Sequence, residues 1–133
     1  MHKAGFANQP TSTHRGDGLE LDGAWVTVAV KCAPPGNAPS PEERDACRPF
    51  LEREIALLAD LRVVVCLGAF AYQAATDFFA VKPRPKFGHG VEVAAGQMTL
   101  LCSFHPSQQN TFTGKLTEPM IDAVFARAAE LCA

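Results

Sequence analysis

Three short apolar runs, at 24–31 (AWVTVAVK), 61–67 (LRVVVCL) and 98–104 (MTLLCSF), are each followed by a segment carrying helical signals. Runs of this length between turn residues read as buried strands, and strands that alternate with helices imply an α/β layered fold around a parallel sheet. The punctuation supports that order. Residues 33–40 are rich in proline and read as a loop. Ser40, Pro41, Glu42 and Glu43 then supply an N-cap, a first-turn proline and acidic side chains, so a helix is expected to about residue 59, with Ala46, Phe50, Ile55 and Leu58 on its apolar side.

Gly68 is expected to open a second helix that runs to about residue 79, before Pro83 and Pro85 break the pattern. Residues 87–96 read as loop with a short strand piece. Thr117 should cap the last helix, whose buried face is expected to include Met120, Val124, Ala128 and Leu131. Residues 1–7 read as the tail of a helix, followed by a turn-rich stretch at 8–18. A chain of 133 residues suits a single domain, 1–133, without internal repeats.

Composition removes several function classes. A content of 47% hydrophobic and 20% charged residues describes a soluble globular protein, and no apolar run approaches the roughly 18 residues of a membrane span. Residues 1–10 are polar and lack the apolar core of a secretory signal, so a cytoplasmic location is expected. A net charge of -2 argues against a generally basic nucleic-acid coat. Lys31, Lys82, Arg84, Lys86 and Lys115 lie in or beside the expected loops, where they can form a local cationic face.

Five cysteines in such a chain do not read as a disulfide framework. Cys66 and Cys102 fall inside apolar runs and are expected to be small buried hydrophobes. Cys32 and Cys47 differ, standing at the start and end of the polar, proline-rich segment CAPPGNAPSPEERDAC.

The chemistry concentrates at 105–111, HPSQQNT, where an apolar strand opens into a polar loop. In α/β sheets, ligands bind at the carboxyl ends of strands. A lone histidine there is a weak signal, but the longer string FHPSQQNTFTGKLTEPM, 104–120, closely resembles the DNA-intercalation motif of the uracil-DNA glycosylase superfamily, and in particular its type 5, iron–sulfur branch. KAGFANQPTS, VKCAPPGN and PEERDACRPFLEREI are further matches, so the resemblance covers nearly the whole chain.

That resemblance implies a three-layer α/β fold of the uracil-DNA glycosylase kind with a parallel sheet. It also implies an enzyme that hydrolyses the N-glycosidic bond of uracil, and of other deaminated bases, in double- or single-stranded DNA. Such a base must be flipped out of the stack, at a cost of roughly a few kcal/mol. His105 takes the position of the catalytic histidine, which donates a hydrogen bond to the base oxygen that gains negative charge. Ser107, Gln108, Gln109 and Asn110 take the DNA-binding positions, with Ser107 on a phosphate and the two glutamines probing the base stack. Val28 stands where some branches carry an asparagine that reads uracil, which implies broader specificity.

Cys32 and Cys47 match two of the four ligands of the branch's 4Fe–4S cluster. Complete members carry the other two cysteines, and a loop that positions the attacking water, near their N-terminus; nothing upstream of Lys3 supplies them. The chain is therefore expected to be the C-terminal part of a type 5 enzyme, monomeric when complete and without a membrane partner. Its central first strand, between 24–31 and 61–67, is expected to be missing. Two other readings stand beside this one: a non-catalytic DNA-binding fragment, and a small thiol or metal protein built on Cys32 and Cys47.

Overall fold

The computed structural model describes residues 1–27 and 41–132, with the backbone alone at 41, 43–48 and 108. Helix α1 spans Pro41–Leu57, strand β1 Val63–Leu67, and helix α2 Ala69–Phe78. Strands β2, Glu92–Ala95, and β3, Met98–Ser103, precede a short helix α3, Gln108–Phe112, and the closing helix α4, Glu118–Cys132.

The three strands form one sheet in the order β1-β3-β2. β1 runs parallel to β3, in register from Val63 with Thr99 to Leu67 with Ser103. Because side chains alternate across a strand, this register sorts the apolar runs onto two faces. Cys66, Leu100 and Cys102 pack with Tyr72 and Ala75 of α2, whereas Val63, Val65 and Leu101 pack with Val124 and Ala128 of α4. Each face has its own helix, which is why these runs are apolar throughout rather than alternating. The expected three layers, α2, sheet and α4, are present.

β2 is antiparallel to β3, from Glu92 opposite Leu101 to Ala95 opposite Met98, so the sheet is mixed. The turn between them contains Gly96 at φ 64°, a left-handed conformation that glycine adopts without a Cβ penalty. Arg127 of α4 donates to both carboxylate oxygens of Glu92, at 3.1 and 3.0 Å, and ties this added strand to the helix layer.

The strand expected at 24–31 is corrected where the structure describes it. Residues 24–27 are irregular, Trp25 and Val26 are each 62% exposed, and Thr27 Oγ1 donates to Glu54 of α1. The residues 28–31 lie outside the described residues. β-branched residues favour a pleated surface only when another strand provides it; among the described residues none pairs with 24–27, nor with the outer edge of β1.

At the N-terminus the expected helix tail is a single 3-10 turn, His2–Ala4. Its Lys3 lies 2.6 Å from Glu118 and 3.0 Å from Asp122. These hydrogen bonds, Glu118 first, push the Lys3 ammonium up to about 12 and dock the turn on the start of α4. Among the described residues no helix is long and apolar enough to cross a membrane.

Candidate active site

Parallel strands β1 and β3 end side by side, and the segments that leave them meet. After β1 comes Gly68, whose N–H donates to Ser103 O at 2.8 Å and whose carbonyl accepts from Tyr72 N in the first turn of α2. After β3 come Phe104 and His105. The His105 side chain packs against the bare backbone of Gly68: a Cβ there would lie 3.2 Å from His105 Cβ and 3.5 Å from its ring Cδ2. Gly68 also holds φ 96° and ψ 162°, a region that only glycine occupies readily. Local sequence thus lets the histidine sit directly on the sheet end while the residue remains exposed.

The next turn fixes the histidine's backbone. His105 O accepts from Ser107 N and from Asn110 Nδ2, both at 2.8 Å. Ser107 is the N-cap of α3, its Oγ accepting from Asn110 N at 3.2 Å. Further along, Leu116 N donates to Asn110 O at 3.0 Å, and the Leu116 side chain is buried. The expected open loop at 105–116 therefore contains a five-residue helix, α3, fastened at both ends.

This arrangement places the sequence-identified residues together. His105, Ser107, Gln109 and Asn110 share one turn, and Gln108 begins α3 with its side chain outside the described atoms. Ser107 Oγ and Asn110 Nδ2 are engaged within the loop. A hydroxyl that accepts still has its own hydrogen to donate, so Ser107 O–H remains available to a phosphate oxygen. Ser107→Ala should cost about 1 kcal/mol, the usual value of such a cap. Faster amide exchange at Asn110 and Thr111, reversed in Ser107→Asp, would check this; unchanged exchange in the alanine variant would contradict it.

An aromatic wall stands beside His105. Phe104 N donates to Nδ1 of His89 at 3.1 Å, so the neutral His89 ring carries its proton on Nε2. Ring centroids of His89 and Phe104 are 5.1 Å apart, with Phe87 6.4 Å from Phe104 and 5.7 Å from Tyr72. Tyr72 OH donates to Pro85 O at 2.6 Å and pins this segment to α2. Lys115 Nζ lies 4.8 Å from the centre of the Phe104 ring, a cation held at the site by the ring's quadrupole. Sequence reasoning missed His89. Its only local signal is the turn-forming string FGHG, 87–90, just before β2.

Lys86 directly precedes Phe87 of this wall, whereas Lys82 and Arg84 lie elsewhere. Arg84 pairs with Asp77 near the C-terminal end of α2, whereas Gly68 begins that helix at the site. A cavity of 340 Å³ lined by Thr76, Asp77, Val81, Lys82 and Arg84 belongs to that far end. Lys31 lies outside the described residues.

The thiols divide as expected where they are described. Cys66 and Cys102 are register partners on β1 and β3, exposed by 1% and 0%. The neighbouring Cys102 and burial push the Cys66 thiol up, and Cys66 Sγ donates to Val64 O at 3.9 Å inside the core. Cys132 is exposed at the end of α4, remote in sequence from both. Cys32 lies outside the described residues, and Cys47 falls on α1 with its side chain outside them. Among the described residues no group of three or more His, Cys, Asp or Glu side chains is placed to hold a metal ion.

Comparison with known proteins identifies the family. A family model described as the uracil DNA glycosylase superfamily matches residues 1–129. A type-5 uracil-DNA glycosylase of Mycobacterium bovis is 46% identical over 136 residues, covering 98% of this chain and 50% of the relative. Its counterpart in Thermus thermophilus is 43% identical over 133 residues, covering 98% of this chain and 60% of the relative. A type-4 uracil-DNA glycosylase of Archaeoglobus fulgidus is 38% identical over 121 residues, covering 86% and 59%. The chain spans about half the length of the curated relatives it matches.

Proposed function

The chain belongs to the uracil-DNA glycosylase superfamily, and from that premise we propose that it serves a type 5 DNA-repair glycosylase in the cytoplasm, hydrolysing the N-glycosidic bond of uracil and other deaminated bases in DNA. The observation that carries this reading is the exposed His105 at the carboxyl end of β3, its carbonyl held by Ser107 N and Asn110 Nδ2.

Hydrolysis of the bond places negative charge on the departing base, and water supplies the hydroxyl that remains on the sugar and the proton that leaves with the base. A His105 ring N–H directed at the base oxygen stabilises that charge, and it acts more strongly where a flipped base excludes water. The side chain needs to be aimed beforehand, and the Gly68 contact and the two bonds to its carbonyl do so. The rings of Phe104, Phe87 and His89 provide an apolar wall close to a flipped base, and Lys115 a positive charge toward the backbone. Ser107, Gln108, Gln109 and Asn110 form the DNA-binding turn.

Cys32 and Cys47 would hold two of the iron sites of a 4Fe–4S cluster. Such a cluster takes four thiolates, and the described thiols do not fit the role, so two further ligands would come from outside this set. No step of the reaction is assigned to it. Anaerobic reconstitution of the 133-residue chain should therefore give little stable visible absorbance, because two thiolates leave half the iron sites unligated; a stoichiometric, monomeric four-iron cluster would show that Cys66, Cys102 or Cys132 serves as a ligand.

Release of free uracil from a uracil-containing duplex by the purified protein tests the activity. Binding of that duplex without base release would favour a non-catalytic DNA-binding role, and absence of both would refute the reading.

A further inference from the structure

Helix α3 is fastened on one side and bare on the other. Asn110 faces inward, bonding His105 O, and successive residues of a helix turn by about 100°. Phe112, two positions later, is therefore directed to the opposite side, where its side chain is 83% exposed. The flanking hydroxyls leave that ring uncovered: Thr111 Oγ1 donates to Ser107 O at 3.0 Å and Thr113 Oγ1 to Gln109 O at 2.7 Å, both back onto the helix. Gln109 is exposed three residues earlier, on a neighbouring part of the same surface.

Other large apolar side chains are exposed, Trp25, Phe50 and Leu57 among them, but none of them belongs to this turn. Phe112 sits on the element that hangs from the His105 carbonyl, fixed at its start by the Ser107 cap and at its end by Leu116. Fixing both ends means that little ordering remains to be done when the ring is buried by a partner.

We infer that Phe112 is an insertion residue: its ring enters the base stack where a nucleotide has been flipped toward His105, with Gln109 beside it at the edge of the unpaired partner base. The inference rests on the glycosylase reading and moves the apolar contact from the glutamine tip to a position three residues beyond Gln109. The partner chemistry follows from the gap itself. Flipping one nucleotide leaves a slot bounded by two base faces, planar and apolar, and every base offers such a face whatever the sequence. A phenyl ring fills that slot, and Lys115 keeps a cation near the phosphates that border it.

The test uses a duplex with an abasic-site analogue opposite 2-aminopurine, titrated with the parent protein, Phe112→Ala and Phe112→Leu. Phe112→Ala should bind about tenfold more weakly, equivalent to about 1.4 kcal/mol, and should lose the 2-aminopurine fluorescence change; Phe112→Leu should recover most of both. All three should share one Tm, because the Phe112 side chain is 83% exposed among the described residues. Parent-like affinity and fluorescence in Phe112→Ala would overturn the insertion role and leave the glycosylase reading intact. A lowered Tm would show that the ring is a packing residue, and loss of self-association that it contacts a second copy; either overturns the inference. A parent protein without preference for the abasic duplex over an intact one would remove the glycosylase reading and this inference together.

Discussion

In the full-length enzyme that carries the upstream segment, His105→Ala is expected to slow single-turnover release of uracil by about two to three orders of magnitude, the range for deleting one donor aimed at developing charge. The protein should otherwise persist. His105 is exposed, and the bonds that hold its loop are made by its backbone carbonyl, which alanine retains. Tm should therefore stay near the parent value, and affinity for an abasic duplex should change less than the rate, because phosphate contacts dominate binding. Single-turnover kinetics at saturating enzyme separate the two. A parent-like rate in the variant would end the assignment of His105 as the donor.

Gly68→Ala should damage both stability and chemistry through one added methyl group. The backbone at φ 96° and ψ 162° lies where side chains other than hydrogen are strained, at a cost of about 1–3 kcal/mol. The new Cβ would also sit 3.2 Å from His105 Cβ, so the histidine or the start of α2 must give by a small fraction of an ångström. A displacement on the order of 1 Å can cost about a hundredfold in rate, and this smaller one should cost less than that. Thermal unfolding should show a lowered Tm, and base release measured well below that Tm should remain slow. The double variant Gly68→Ala with His105→Ala separates cause from coincidence: if Gly68 acts by positioning His105, the two rate losses will not add. Fully additive losses would mean that Gly68 supports the fold alone.

Several of these contacts could not be read from local pattern. His89 and Phe104 are 15 residues apart and meet because β2 folds back on β3, bringing the turn at 87–90 to the end of that strand. Local composition gave little warning, since the β2 sequence Glu92–Ala95 contains one β-branched residue, Val93. The pairing with β3, already buried on both faces, overrides that weak propensity. Residues 24–27 show the converse. Their composition favours a strand, yet without a neighbouring strand among the described residues they leave Trp25 and Val26 in solvent.

The amino-acid sequence by itself determined the elements whose signals are local. Gly68 and the helical spacing after it set α2, Thr117 caps α4 by accepting from Met120 N at 3.4 Å, and the apolar runs of β1 and β3 placed Cys66 and Cys102 in the core. It also put His105 at a strand end, because a polar loop must follow where an apolar run stops. Only the tertiary structure decided which strands pair, that the space beside Gly68 admits the His105 side chain, and that α3 turns Asn110 inward and Phe112 out. Periodicity records which side of a segment avoids water. It does not record the partner that covers that side, because pairing and close approach join residues far apart in the chain, and their free energy appears only once the layers have assembled.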